Sequence, residues 1–185
     1  MENEVLKRGR IQLTSFTKLD QSSLLEVLSW RNHEAIRKQM NTTEIISDQN
    51  HFTFCESLKG KEDVIYWLVE RKGRRCGVVN LRSMSDRFTE AEWGYYAAPA
   101  FLGTGIGLEM AFECIQMFFE EMGVKRLHGY IKETNQENLR MQKSIGFKTN
   151  GTTKRGDVTI VNTVITEKLP EEDFKFFQKR LLYGR

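Results

Sequence analysis

A chain of 185 residues that is 39% hydrophobic and 29% charged, with two prolines, holds enough apolar material for one core and shows none of the bias of a disordered, collagen-like or proline-rich segment. Its formal charge of +3 is too small over this length to establish nucleic-acid binding and favours an anionic ligand only slightly. Three cysteines, Cys55, Cys76 and Cys114, stand far apart with no CxxC pair and no histidine at zinc spacing, so neither a metal nor a disulfide is expected. The opening residues MENEVLKRGR lack the apolar core of a signal peptide and no apolar run approaches the ~18 residues of a membrane span, which places the expected site of action in the cytoplasm, away from membranes.

In chain order, Ile11, Leu13 and Phe16 give a short strand pattern, and Asp20 stands where it can cap a helix carrying Leu24, Leu25, Val27, Leu28 and Trp30. Ser47 and Asp48 start a second helix, with Phe52, Cys55 and Leu58 at three-residue spacing towards a core and His51 in the first turn. The period then changes. VIYWLVE (64–70), CGVVNLRS (76–83) and AEWGYYA (91–97) are rich in β-branched and aromatic residues and predict three strands of an antiparallel meander, the first two joined by a basic, solvated turn around Gly73. Beyond Pro99, Leu108, Ala111, Ile115, Phe118 and Met122 recur at intervals of three and four, the mark of a helix, ended near Gly123. RLHGYI (126–131) reads as a strand, 135–145 as a short helix closed by Gly146, and VTIVNTVI (158–165) as a strand. A last helix is predicted over 170–182, with Phe174, Phe177 and Leu181 on one face. Nothing repeats and no linker divides the chain, so residues 1–185 are expected to form a single domain of mixed α+β class.

Gly103, Gly105 and Gly107 lie between a strand and a long helix, where backbone N–H groups at the helix start can converge on an anion, most naturally a phosphate. The same glycines serve a tight turn for steric reasons, and spacing alone leaves both readings open. Two other phosphate motifs are excluded. A P-loop needs Gly-Lys-Ser/Thr, whereas Gly107 is followed by Leu108 and Glu109, and a dinucleotide fingerprint needs a glycine where Leu108 stands.

Asn135 and the ending Ile145-Gly146-Phe147 frame the short helix that follows the next strand. In this order, AEWGYYAAPAFLGTGIG and ETNQENLRMQKSIGF resemble the acyl-CoA-binding core of the GNAT superfamily of N-acetyltransferases, across residues 64–147. The resemblance implies a mostly antiparallel, twisted central sheet flanked by helices, and acetyl-CoA as acetyl donor without a metal. It implies the donor's pyrophosphate on the backbone of Leu102, Gly103, Thr104, Gly105, Ile106, Gly107 and Leu108, its pantetheine arm beside Tyr95, Tyr96 and Ala97, and a hydrogen bond between Asn135 and that arm. The chain departs from the family at Leu102, where Gln or Arg is usual, and at Gln142, where many members place a tyrosine that protonates the leaving thiolate. Glutamine cannot act as a general acid.

The acceptor amine must be neutral to attack. Glu92, on the strand expected to pass the acetyl group, can take up the amine proton, with Glu133 and His128 as further candidates and Tyr96 as a hydroxyl near the reaction centre; an exposed strand glutamate and a core or surface histidine are the simpler readings of these groups. LSWRNHEAIRKQM and SDQNHFTFCESL resemble the branch of the family that acetylates amines of sugar nucleotides. That resemblance implies Arg31, Asn32, His51 and Tyr96 as acceptor contacts, with His33 in the same motif, and the 4-amino group of a UDP-4-amino-4,6-dideoxy sugar of the pseudaminic or nonulosonic acid type as the target. Arg31 can grip a diphosphate with two parallel hydrogen bonds and His51 can meet it from a helix first turn, while a helix end with a satisfied polar pair is the alternative for Arg31 and Asn32. A peptide N-terminus or other small amine as acceptor, and a non-catalytic CoA-binding module, are the competing functions. Apolar edge strands such as VTIVNTVI can pair in a homodimer.

Overall fold

In the computed structural model, which describes residues 5–170 and 172–175, eight strands follow one another as β1 (Val5–Arg8), β2 (Ile11–Ser15), β3 (Val64–Arg71), β4 (Arg74–Ser83), β5 (Glu90–Ala97), β6 (Arg126–Lys132), β7 (Lys148–Arg155) and β8 (Val158–Ile165). Their hydrogen-bonded order is β1-β2-β3-β4-β5-β6-β8-β7. β5 and β6 pair in parallel, whereas β1 with β2, β2 with β3, β3 with β4, β6 with β8 and β7 with β8 are antiparallel. A parallel pair needs a crossover, and helix α4 (Ile106–Glu120) supplies it. The remaining helices are α1 (Gln21–Asn32), α2 (Glu34–Arg37), α3 (Asp48–Ser57) and α5 (Gln136–Ser144). The fold is α+β, a mixed sheet with helices, and the chain divides into two compact units, Met1–Arg82 with Gly94–Glu113 and Ser83–Trp93 with Cys114–Arg185.

In the first unit, β2 buries Ile11, Leu13 and Ser15 in alternation, as a half-buried strand does. Asp20 caps α1 by accepting a hydrogen bond from the Ser23 amide at 2.8 Å, and Ser47 caps α3 through the Asn50 amide. The inner faces of these helices meet β3 and β4 in a core of Phe16, Leu24, Val27, Trp30, Ile36, Cys55, Leu58, Val64, Leu68 and Val78. Phe52 packs against this core half-buried. β4 passes close to the backbone of β5 at Gly77, where a Cβ atom would meet the Tyr96 carbonyl and come within 2.8 Å of Met110 Sδ.

In the second unit, β6 buries Leu127, Gly129 and Ile131 in alternation. α5 closes on Gly146 at φ +99°, with the Gly146 amide on the Lys143 carbonyl and the Phe147 amide on the Gln142 carbonyl, the Schellman arrangement that a glycine after a helix encodes. Phe147 then stacks on Trp93 at 5.5 Å.

Two strands carry no expectation from the sequence. β1 is four residues long, and β7, KTNGTTKR, is exposed along its whole length and bulged between Thr149 and Thr152, so neither shows an apolar alternation. β7 is the edge here, with lysines that oppose further strand pairing, and VTIVNTVI, expected as an edge free to pair in a homodimer, is instead enclosed as β8 between β6 and β7. Of the helix expected over 170–182, residues 172–175 are helical with Phe174 buried, while Phe177 and Leu181 lie outside the described residues. Among the described residues no helix is long and apolar enough to cross a membrane.

Candidate active site

β5 ends in a short 3-10 turn, Pro99–Phe101, followed by an exposed loop over 102–105 and then α4. Gly103 and Gly105 take φ values of +71° and +82°, yet a Cβ atom at either would meet nothing within 4 Å. Backbone conformation, not crowding, therefore demands glycine here. That requirement leaves the loop free of side-chain bulk. The Leu108 and Glu109 amides turn back to the Gly105 carbonyl at 3.1 and 3.2 Å, so α4 begins directly at the glycines and its positive end lies at an accessible backbone. Thr104 braces the turn by donating to the Phe101 carbonyl at 2.7 Å, and Leu102, 45% exposed, adds no polar group. These residues fit a diphosphate held by backbone alone.

The same unit holds the acceptor candidates. Arg31, half-buried at the end of α1, donates from Nη2 to the Thr42 carbonyl at 2.8 Å, and its buried Nη1 has no hydrogen-bond partner among the described residues. Burial lowers its pKa, the Tyr96 and Tyr66 phenols oppose that fall, and neighbouring Arg37 adds to it. Arg37 on α2 donates to the Thr43 carbonyl, and its buried Nε also has no partner among the described residues. Burial pushes the Tyr96 phenol well above the ordinary range, with Arg31 pulling the other way, so Tyr96 is a neutral hydrogen-bonding group and not a base. Tyr66 packs edge-on against Phe54 at 5.1 Å.

Two expected contacts are placed otherwise. Asn32 uses both ends of its amide on one residue, accepting from the Ile46 N–H and donating to the Ile46 carbonyl, each at 2.8 Å, so its first task is to clamp the 38–46 loop. His51 is 5% exposed, its Nε2 lies 3.0 Å from the Leu24 carbonyl and 3.6 Å from Cys55 Sγ, and burial lowers its pKa. It ties α3 to α1 as a neutral ring and is not a diphosphate contact. His33 is exposed and caps α2 through Nδ1 on the Ala35 amide. Sequence reasoning did not single out Arg37 or Tyr66. Gly94 interrupts β5 where a Cβ atom would fall 2.6 Å from Asn80 Oδ1, and a glycine inside a strand marks such a close approach.

In the second unit, Glu92 is half-buried on β5, opposite His128 of β6 in the register. His128 Nε2 lies 2.7 Å from Glu90 Oε1. Glu133 is exposed just beyond β6. Asn135 caps α5 by accepting from the Asn138 amide at 3.2 Å, which leaves its side-chain N–H groups for another partner. Gln142 is buried. Its Oε1 meets Thr163 Oγ1 at 2.6 Å, and a Cβ atom on Gly129 would fall 2.8 Å from that same Oε1, so Gln142 closes an interior polar cluster between α5, β6 and β8. The cysteines are buried, and burial raises the thiols of Cys55 and Cys76 to about 11 and about 12, so neither supplies a thiolate for a covalent step.

Comparison with known proteins agrees with this geometry. The model of the acetyltransferase (GNAT) domain matches residues 10–148. Acetyltransferase PseH of Campylobacter jejuni subsp. jejuni serotype O:23/36 (strain 81-176) is 28% identical over 137 residues, 74% of this chain and 84% of the relative. The crystal structure of Campylobacter jejuni N-acetyltransferase PseH in complex with acetyl coenzyme A superposes with a TM-score of 0.65 at 21% identity, over 85% of this chain and 99% of that one. Spermidine N-acetyltransferase from Vibrio cholerae, in complex with CoA and spermine, superposes with a TM-score of 0.74 at 14% identity, over 85% and 96%. With a glycine loop opening α4 and a family match over most of its length, the chain belongs to the GNAT family of acetyl-CoA-dependent N-acetyltransferases.

Proposed function

We propose that this enzyme acetylates the 4-amino group of a UDP-4-amino-4,6-dideoxy sugar of the pseudaminic acid type. The observation that carries the reading is the pair Arg31 and Arg37, two half-buried neighbouring cations, the first beside Tyr66 and Tyr96, that make no ion pair among the described residues and each keep a buried N–H without a partner. Uncompensated buried positive charge is costly, and an anionic ligand such as a diphosphate offsets that cost. The likeness to PseH supports the same acceptor class. A cationic polyamine would add repulsion at this place.

In this reading the backbone of 102–108 and the Asn135 amide hold acetyl-CoA, whose thioester supplies the acetyl group, with Tyr95, Tyr96 and Ala97 along its arm. Backbone N–H groups of β5 near Tyr96 polarise the carbonyl, and Glu92 takes the amine proton. Glu133, exposed beyond β6, is the second carboxylate that can serve. The nitrogen attacks the carbonyl carbon, the C–S bond breaks, and the thiolate, with a pKa of roughly 8.5 by analogy with cysteine, collects its proton from water because Gln142 has none to give. Thiol release from acetyl-CoA, followed with a UDP-4-amino-4,6-dideoxy sugar, spermidine and an amino-terminal peptide offered in parallel, tests the proposal. Turnover of the sugar nucleotide is the expected result, and turnover confined to spermidine or peptide overturns it.

A further inference from the structure

Behind Glu92 the second unit holds two groups that no step above uses. Along the parallel β5–β6 ladder Glu90 faces Arg126, Ala91 faces Leu127 and Glu92 faces His128. Side chains alternate along a strand, so Glu90 and Glu92 share a face, and the 2.7 Å contact between His128 Nε2 and Glu90 Oε1 puts the imidazole on that face too. The other face takes Ala91, Leu127 and Gly129, all buried. Strands lie about 4.8 Å apart, so His128 and its register partner Glu92 are neighbours on that face. Exposure rises away from the core, from 13% for the His128 side chain to 38% for Glu90. The charged groups around the imidazole from its own strand and the two beside it are Glu90, Glu92 and Arg126, whose Nη1 lies 3.8 Å from Glu90 Oε1; β8 contributes the apolar Val164 opposite His128.

With Nε2 donating to Glu90, a neutral ring keeps Nδ1 as an acceptor. We infer that the row Glu92–His128–Glu90 is the exit for the amine proton, an inference that rests on Glu92 being the base. An ammonium acceptor gives one proton to Glu92 and becomes the neutral nucleophile. Glu92 passes that proton to His128 Nδ1, the ring releases its Nε2 proton to Glu90, Glu90 hands it to water, and the ring, left as the Nδ1–H tautomer, exchanges that proton through water for one at Nε2 before the next turnover. The second amine proton, lost as the C–N bond forms and the C–S bond breaks, balances the thiol product. His128 and Glu90 touch no reacting atom; they are positioning residues that return Glu92 to its carboxylate form.

The test compares Glu90→Gln, His128→Gln and Glu92→Gln on the acceptor that turns over best in the thiol-release assay. Glu90 is half-buried at the outer end of the row and its glutamine is isosteric, so that variant keeps the fold where a change at His128 disturbs it. The expected result is a kcat about tenfold lower in Glu90→Gln and His128→Gln, unchanged KM for both substrates, and a deficit that shrinks as rising pH delivers the amine already neutral. A structural strand staple alone would move thermal stability and leave that pH dependence untouched. Glu92→Gln slow with the other two at the parent rate overturns the exit and leaves the base in place; all three at the parent rate overturns both. A second readout needs no substrate. Nitrogen NMR of the three histidines, with His128 assigned by its loss in His128→Gln, is expected to show the Nε2–H tautomer and an Nδ1 resonance that moves in Glu92→Gln, and an Nδ1 resonance indifferent to Glu92 overturns the row.

Discussion

Arg71 and Arg75 meet carboxylates, whereas Arg31 and Arg37 of the same unit meet carbonyls and, around Arg31, the rings of Tyr66 and Tyr96. Arg71 Nε sits 2.9 Å from Glu109 Oε2, tying β3 to α4, and Arg75 bonds Glu26 Oε2 at 2.6 Å and Ser23 Oγ at 2.7 Å, tying β4 to α1. Each of those pairs is complete in the folded chain and asks for nothing further. Arg31 and Arg37 instead stop at the Thr42 and Thr43 carbonyls, each with a buried nitrogen left over. The difference teaches that positive charge by itself says little about ligand binding, while positive charge the fold does not neutralise points to a ligand.

Five substitutions and a pH series test how far the contrast extends. The largest effect is expected for Arg31→Glu. Losing a charge-assisted hydrogen bond is worth about 1.5–3 kcal/mol, and reversal adds repulsion, so the KM for the sugar nucleotide should rise about 100-fold or more while that for acetyl-CoA stays put; steady-state kinetics with each substrate varied reads both. Gln142 resembles the completed arginines, a satisfied polar group inside the second unit. Gln142→Tyr should therefore lower stability by about 1–3 kcal/mol through overpacking against Gly129 and Thr163, without a gain in kcat, as denaturant unfolding and single-turnover rates would show. Arg37→Gln should raise the acceptor KM roughly tenfold, the share of one phosphate hydrogen bond to a cation, with little change in melting temperature.

Acid probes His51. If it were a third cation of the acceptor surface, protonation would strengthen acceptor binding. Its folded pKa lies below the unfolded value of 6.5 because burial disfavours the charged ring, so the unfolded chain binds the extra proton and stability falls as pH drops below about 6.5. Melting temperature followed from pH 8 downward checks this, and His51→Asn should flatten the fall. The smallest effect belongs to Arg75→Ala. Its ion pair is partly exposed, so the loss should stay within about 1 kcal/mol of stability, and acceptor KM should not move.

Much of the architecture is local and therefore legible. Asp20 and Ser47 cap helices because a short oxygen side chain satisfies an amide three residues on, and Gly146 ends α5 because its left-handed backbone suits glycine. β3, β4 and β5 read as strands because buried positions select β-branched and aromatic residues. β1 and β7 escaped because an exposed edge imposes no such selection. The glycine loop stood out at Gly103 and Gly105, and the structure adds that conformation and openness coincide there.

The acceptor side shows the limit. Asn32, His51 and Arg31 are polar residues in one stretch of sequence, equally eligible as ligand contacts, and what separates them is a partner far along the chain: Ile46 is 14 residues from Asn32 and Leu24 is 27 from His51. Arg37 is set apart in the same way, by where α2 leaves its Nε buried and without a partner among the described residues. Sequence by itself determined the family, the strands and helices that bury an apolar face and the glycine loop that opens α4, because these rest on local conformational preferences and short spacings. Only the tertiary structure decided which polar side chains are satisfied within the protein and which are not, because a hydrogen-bonding group's partner depends on long-range packing that no local pattern encodes.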